Sequence, residues 1–193
     1  MMGARRLSQA IAEGDGISVL VEVRDRDGVE MAIEQGAEGL VARRIWDELR
    51  EGTRLPLLLY GPSLGDAADA RADAVVLAAD NDSERLVELV EHASELGLEC
   101  VLRVRDEDDL ERALERLDPE IFLLTAEDAD HDQRHLDRLL ELLPDVPAGK
   151  LAIAELTGAS RDDVLALERA GVDAVLVTGY DIGQLVGDTP PEV

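Results

Sequence analysis

The last third of the chain, KLAIAELTGASRDDVLALERAGVDAVLVTG (residues 150–179), reads as a buried strand, a turn, a helix with a glycine stop and a second buried strand. That is one complete β-α-β unit of a parallel sheet, and it limits the architectures open to the chain. Residues 151–156 are nearly all apolar, as a strand covered on both faces must be. Ser160 with Asp162 and Asp163 gives a hydroxyl cap and acids over a first turn. Val164, Leu165, Leu167 and Ala170 form the apolar face, and Gly171 ends the helix.

The same unit recurs through the chain. Strands are predicted at 17–23, 39–43, 55–60, 74–79, 99–104, 121–125, 151–156 and 174–178. Helices are predicted at 27–35, 45–51, 64–72, 83–96 (capped by Ser83), 106–117, 135–143, between Ser160 and Gly171, and at 182–186. Eight strand–helix repeats predict an α/β protein, a compact (β/α)8 TIM barrel. With 193 residues it is short against the ~250 typical of such barrels, and the short connections after strands 2 and 3 explain the economy. An open doubly wound sheet is the alternative. Residues 1–16 are read as a short helix or loose arm over the barrel bottom, 17–187 as the barrel and 188–193 as a flexible tail.

Charge excludes whole classes of partner. Forty-four acids face 19 bases, a formal net charge of −25, and Lys150 is the sole lysine. Nucleic-acid or anionic-membrane binding over the general surface is therefore not expected. A cytoplasm of molar salt or an arginine-favouring genome would each account for the acidity, and the first fits better. No apolar run approaches the ~20 residues that span a bilayer, and the N-terminus lacks the apolar core of a signal peptide. Cys100 lies in an apolar run and reads as a buried, reduced thiol. A cytoplasmic monomer or homodimer is expected.

Three stretches resemble the indole-3-glycerol phosphate synthase family. They are ECVLRVRDEDDLERALERL (99–117), AELTGASRDDVLALERAGVDAVLV (154–177) and ADAVVLAADNDSERLVELVEHASELGLE (72–99). LVEVR (20–24) sits where that family carries its first-strand motif. The resemblance implies a ribulose-phosphate-binding type of barrel. It also implies a lyase reaction that closes an indole ring on a carboxyphenylamino-deoxyribulose phosphate, with loss of carbon dioxide and water. Carried over position by position, the family's first-strand and seventh-strand carboxylates are kept as Glu22 and Glu155. Its first-strand lysine becomes Arg24, and the third-strand lysine, its general acid, becomes Tyr60. The fifth-strand glutamate and nearby histidine become Arg103 and Arg105. The sixth-strand asparagines become Leu124 and Thr125. The phosphate-binding pair after strand 8 becomes Thr178 and Tyr180, with Gly179 between them.

Both catalytic lysines are thus replaced, and the exchange has chemical consequences. A desolvated lysine can release a proton near neutral pH, whereas arginine stays protonated and only clamps anions. Tyr60 can donate a proton, but from an ordinary value of ~10. Lys150 starts strand 7, at the end opposite the usual active site.

Without the family, alternation along the strands still brings Glu22 with Arg24, and Arg103 with Arg105, to the C-terminal mouth, joined by Arg43 or Arg44. A phosphorylated small-molecule ligand is expected there, with Arg24, Arg103, Arg105 and Thr125 binding substrate and Glu22, Glu155 and Tyr60 as catalytic candidates. An internal salt-bridge network is the other reading. Thr157, Gly158, Thr178 and Gly179 occupy the turns that bind phosphate in such barrels, although ordinary turn chemistry explains them equally. His131 and His135 beside Asp128, Asp130 and Asp132 read as a solvated acidic loop, and the run 106–109 reads as a solvated helix start. Trp46 reads as packing. No metal or cofactor is expected.

Overall fold

The computed structural model describes residues 6–79, 82–126, 135–178 and 182–186. Eight parallel strands close into a barrel in sequence order: β1 (Ser18–Glu22), β2 (Gly39–Ala42), β3 (Leu57–Leu59), β4 (Ala74–Ala78), β5 (Glu99–Val104), β6 (Ile121–Leu124), β7 (Leu151–Leu156) and β8 (Ala174–Thr178). Closure is made by β8 on β1, in register from Ser18 opposite Ala174 to Glu22 opposite Thr178. The (β/α)8 expectation holds, and the open-sheet alternative falls because an open sheet has no pairing between its first and last strands.

Alternation divides each strand between two cores. Leu20, Val41, Leu58, Val101, Leu123 and Ile153 point inward and fill the barrel. Val21, Leu40, Leu102, Phe122, Ala154 and Val175 point outward into the layer shared with the helices. Each Val, Leu, Ile or Phe among them, fully buried, contributes about 1.5–3 kcal/mol against exposure.

The helices are α1 (Leu7–Ala12), α2 (Arg26–Glu34), α3 (Leu64–Asp69), α4 (Ser83–Glu95), α5 (Glu107–Leu114), α6 (His135–Leu142), α7 (Arg161–Ala170) and α8 (Ile182–Val186). The α7 signals act as read. Ser160 Oγ accepts from Asp163 N at 3.2 Å, Asp163 Oδ2 accepts from Ser160 N at 2.9 Å, and Gly171 stops the helix at φ 98°.

Within the N-terminal segment, Leu7–Ala12 form the helix α1. Leu7 and Ile11 of α1 join the interior cluster and close the barrel bottom, and the hydroxyl of Ser8 is held by Glu99. Gly39 sits close under Leu20: a Cβ there would lie 2.7 Å from Leu20 Cδ2, so that side chain would have to shift, while Leu7 Cδ1 at 3.5 Å would be in ordinary contact.

Two local expectations are corrected. Residues 45–51 form turns, not a helix, with Leu49 N bonding Trp46 O and Glu51 N bonding Glu48 O in the i+3 pattern. Gly52, at φ 77°, redirects the chain directly after the stretch. The cap of α4 is Asp82, whose carboxylate accepts from Glu84 N at 2.8 Å, in place of Ser83. Residues 1–5, the acidic loop with His131, Gly179 and Tyr180, and the tail 188–193 lie outside the described residues. No helix among the described residues is long and apolar enough to cross a membrane.

Candidate functional site at the barrel mouth

Glu22 ends β1 and Glu155 sits one residue before the end of β7, both with inward parity. Their side chains are only 7% and 12% exposed. One guanidinium serves both: Arg43, just past β2, donates from Nε to Glu22 Oε2 at 3.0 Å and from its terminal nitrogen to Glu155 Oε1. Its plane lies over the Tyr60 ring, 4.0 Å from the centroid, where the ring quadrupole favours a cation. Thr178 Oγ1 donates to Glu22 at 3.2 Å, and Arg24, largely exposed, reaches Glu22 Oε1 at 3.4 Å. Arg103 completes the group, donating to the Tyr60 hydroxyl at 3.2 Å. Strands 1, 2, 3, 5, 7 and 8 thus meet in one charged layer above the apolar interior.

Burial works against the Arg43 charge, but the Glu22 hydrogen bond, the Glu155 charge and the Tyr60 hydrogen bond outweigh it and raise its pKa above the ordinary arginine value. The centre of the mouth therefore holds a fixed cation that releases no proton near neutrality. Tyr60 accepts from Arg103, which leaves its own O–H free of that bond to point elsewhere.

The other sequence candidates divide. Thr125, on the inward parity of β6, is 1% exposed, and its Oγ1 has no hydrogen-bond partner among the described residues. Thr157 and Gly158 are exposed in the turn after β7, with Gly158 at φ 72°. Gly179 lies outside the described residues, so half of the expected phosphate turn is undescribed. Arg105 bonds to α5: its Nε donates to Asp109 Oδ2 at 3.0 Å, and its backbone N donates to the same oxygen.

Asp109 corrects the solvated-helix-start reading of 106–109. It is 2% exposed, bonds Arg112 at 3.0 Å as well as Arg105, and pins α5 to the end of β5. Burial pushes the Asp109 carboxyl up, but the Arg105 donors and Arg112 pull it below the usual carboxylate value. Lys150 bonds Asp118 at 2.8 Å and Glu120 at 3.0 Å at the opposite barrel end, so it takes no part in the mouth. Among the described residues no group of three or more His, Cys, Asp or Glu is arranged to hold a metal ion.

The one central residue that sequence reading did not single out is Arg43, which it named only jointly with Arg44. The available signal was inward parity on β2, two residues beyond Val41.

Residues 63–182 match the family model described as indole-3-glycerol phosphate synthase. The chain is 27% identical over 172 residues to the indole-3-glycerol phosphate synthase of Geobacillus sp. (strain WCH70), covering 86% of this chain and 62% of that protein. It is 26% identical over 203 residues to the enzyme of that name from Campylobacter fetus subsp. fetus (strain 82-40), covering 90% and 78%. The protein of that name from Variovorax paradoxus (strain S110) is 30% identical over 178 residues, covering 89% and 64%. The chain therefore spans roughly three fifths to four fifths of the length of these relatives.

Proposed function

The chain belongs to the indole-3-glycerol phosphate synthase family, and we propose that its mouth takes the phosphorylated substrate class of that family and works as a carbon–carbon lyase without lysine. The supporting observation is that Glu22 and Glu155, the two carboxylates kept from the family pattern, meet on one guanidinium at the C-terminal mouth. In this reading Arg24, Arg103 and Arg105 attract and clamp the anionic groups, and Thr125 offers a buried hydroxyl. Thr157, Gly158, Thr178 and Gly179 cradle the phosphate. Glu22 and Glu155 move protons, and Tyr60 protonates the oxygen that leaves as water. Arg43 stabilises negative charge that develops on the closing ring. The working place would be a salt-rich cytoplasm, as a monomer or homodimer.

A second reading is a barrel that binds a phosphorylated ligand, or a partner protein, without turnover. It is favoured by the sole lysine lying at the far end and by Arg43 already engaging both carboxylates. Indole fluorescence after adding the carboxyphenylamino-deoxyribulose phosphate separates the two, in dilute buffer and in molar potassium chloride. Turnover that disappears in Glu155→Gln supports the lyase. A folded protein without turnover in both buffers, whose melting temperature the same compound still raises, leaves the binding barrel.

A further inference from the structure

The connection from β2 to β3 carries no helix, and beside it lies an open cavity of about 840 Å³ bounded by that connection and α3. Its lining has features that folding alone does not require. Arg44 and Arg71 both line it, and among the described residues neither guanidinium has a hydrogen-bond or ion-pair partner. Their neighbours on the same wall are committed elsewhere: Arg43 to Glu22 and Glu155, Arg50 to Asp73 and the Leu55 carbonyl. Arg44 and Arg71 leave the cavity wall with guanidinium donors that no neighbouring side chain among the described residues uses.

Arg71 also departs from the backbone pattern. It holds φ 57°, alone among the described non-glycine residues in having a positive value. The helices α2, α4 and α7 are followed by glycines in that conformation, Gly36, Gly97 and Gly171. After α3 an arginine occupies the equivalent turn, strained backbone of the kind that accompanies ligand sites. Trp46 is half-buried on the same lining, and among the described residues its buried indole Nε1 has no acceptor. Asp47 and Asp69 line the cavity too, so a bare anion would leave acceptors unused.

We propose that this cavity binds an aromatic phosphate monoester carrying hydroxyl groups, of the nucleoside monophosphate kind. Arg44 and Arg71 take the phosphate, the fork of each guanidinium matching its oxygens. Trp46 packs on the ring, and Asp47 and Asp69 accept from the hydroxyls. The site stands apart from the mouth and shares only Arg43 with it.

Trp46 is the sole tryptophan, so intrinsic fluorescence reads this cavity directly. The full chain is titrated with adenosine monophosphate, phenyl phosphate and inorganic phosphate at constant potassium chloride. The expected result is a saturable change with adenosine monophosphate, weaker with phenyl phosphate and weakest with inorganic phosphate. Arg44→Ala and Arg71→Gly should each weaken binding about tenfold, the size of one charge-assisted hydrogen bond. Glycine suits the left-handed turn, so the ligand-free melting temperature of Arg71→Gly should not fall below the wild type, which separates lost binding from lost folding. Arg103→Ala should keep the response, because Arg103 belongs to the mouth.

Absence of saturation up to about 10 mM overturns the proposal, since so weak an affinity is not that of a built site. So does a response unchanged in both arginine variants, or one lost in Arg103→Ala. Inorganic phosphate binding as tightly as adenosine monophosphate overturns the assignment of ring and hydroxyls.

Discussion

Arg43→Met tests the charge layer of the mouth. The methionine keeps an apolar stem over Tyr60 and removes the charge that Glu22 and Glu155 share. Removing one partner of a buried ion pair costs about 3–5 kcal/mol. Here Arg43 is 38% exposed, and Arg24 and Thr178 still reach Glu22. Solvent screening and those contacts reduce the expected loss to about 2 kcal/mol, or roughly 6 °C in melting temperature for a chain of this size. The loss should depend on pH. In the variant, two carboxylates left in a shared, mostly buried layer repel each other, and a proton taken up by either relieves a repulsion that only the folded state has. The penalty is therefore full at about pH 7.5 and shrinks as the pH falls towards 5. Denaturant unfolding of both proteins at the two pH values, in fixed molar salt, measures it. Adding Glu155→Gln to the variant should recover more than half of the loss at the higher pH. An equal penalty at both pH values would refute the charge explanation, and no penalty at either would refute the coupling itself.

Three further outcomes are expected. Asp109→Asn should lower stability by about 2 kcal/mol at neutral pH, by loosening α5 from β5 and leaving the arginines uncompensated. Because the folded pKa of Asp109 is depressed, its contribution is present above the ordinary carboxylate value. It is lost as the pH falls through the folded value, so wild type and variant should converge in acid unfolding curves. Cys100, pushed up to about 11 by burial and the Glu99 charge, should react with a thiol reagent at pH 8 far more slowly in the native protein than after denaturation. Equal rates would show the thiol to be open. The net charge of −25 should make the melting temperature rise with potassium chloride, as the screening length shrinks from about 10 Å at 0.1 M to about 3 Å at 1 M. A flat or falling curve would remove self-repulsion as the dominant surface effect.

Local rules made most of the fold legible in the sequence. The boundaries of β5, β7 and β8 and of α8 fall where hydrophobic runs and turn residues put them, because a strand buried on both faces must be apolar throughout. Ser160 and Gly171 marked α7 because a cap is made within one turn of chain. Eight repeats of that unit, together with the right-handed crossover, left a closed barrel as the natural arrangement. Parity then placed Glu22 with Arg24 and Arg103 with Arg105 at the C-terminal strand ends without any coordinates, and the family resemblance added Glu155.

What failed was everything set by contacts between distant segments. Asp109 looks like one more surface acid in the 106–109 run, and only the docking of α5 decides that it is buried between two arginines. In sequence only the parity with Val41 separates Arg43 from Arg44. The barrel geometry turns Arg43 into the mouth, between two carboxylates and over an aromatic ring, and leaves Arg44 on the cavity outside. The sequence by itself determined which residues face inward, because the strand period of two is a local property. Which charge meets which was decided by the tertiary structure, because β7 comes within reach of β1 and β2 only when β8 closes on β1.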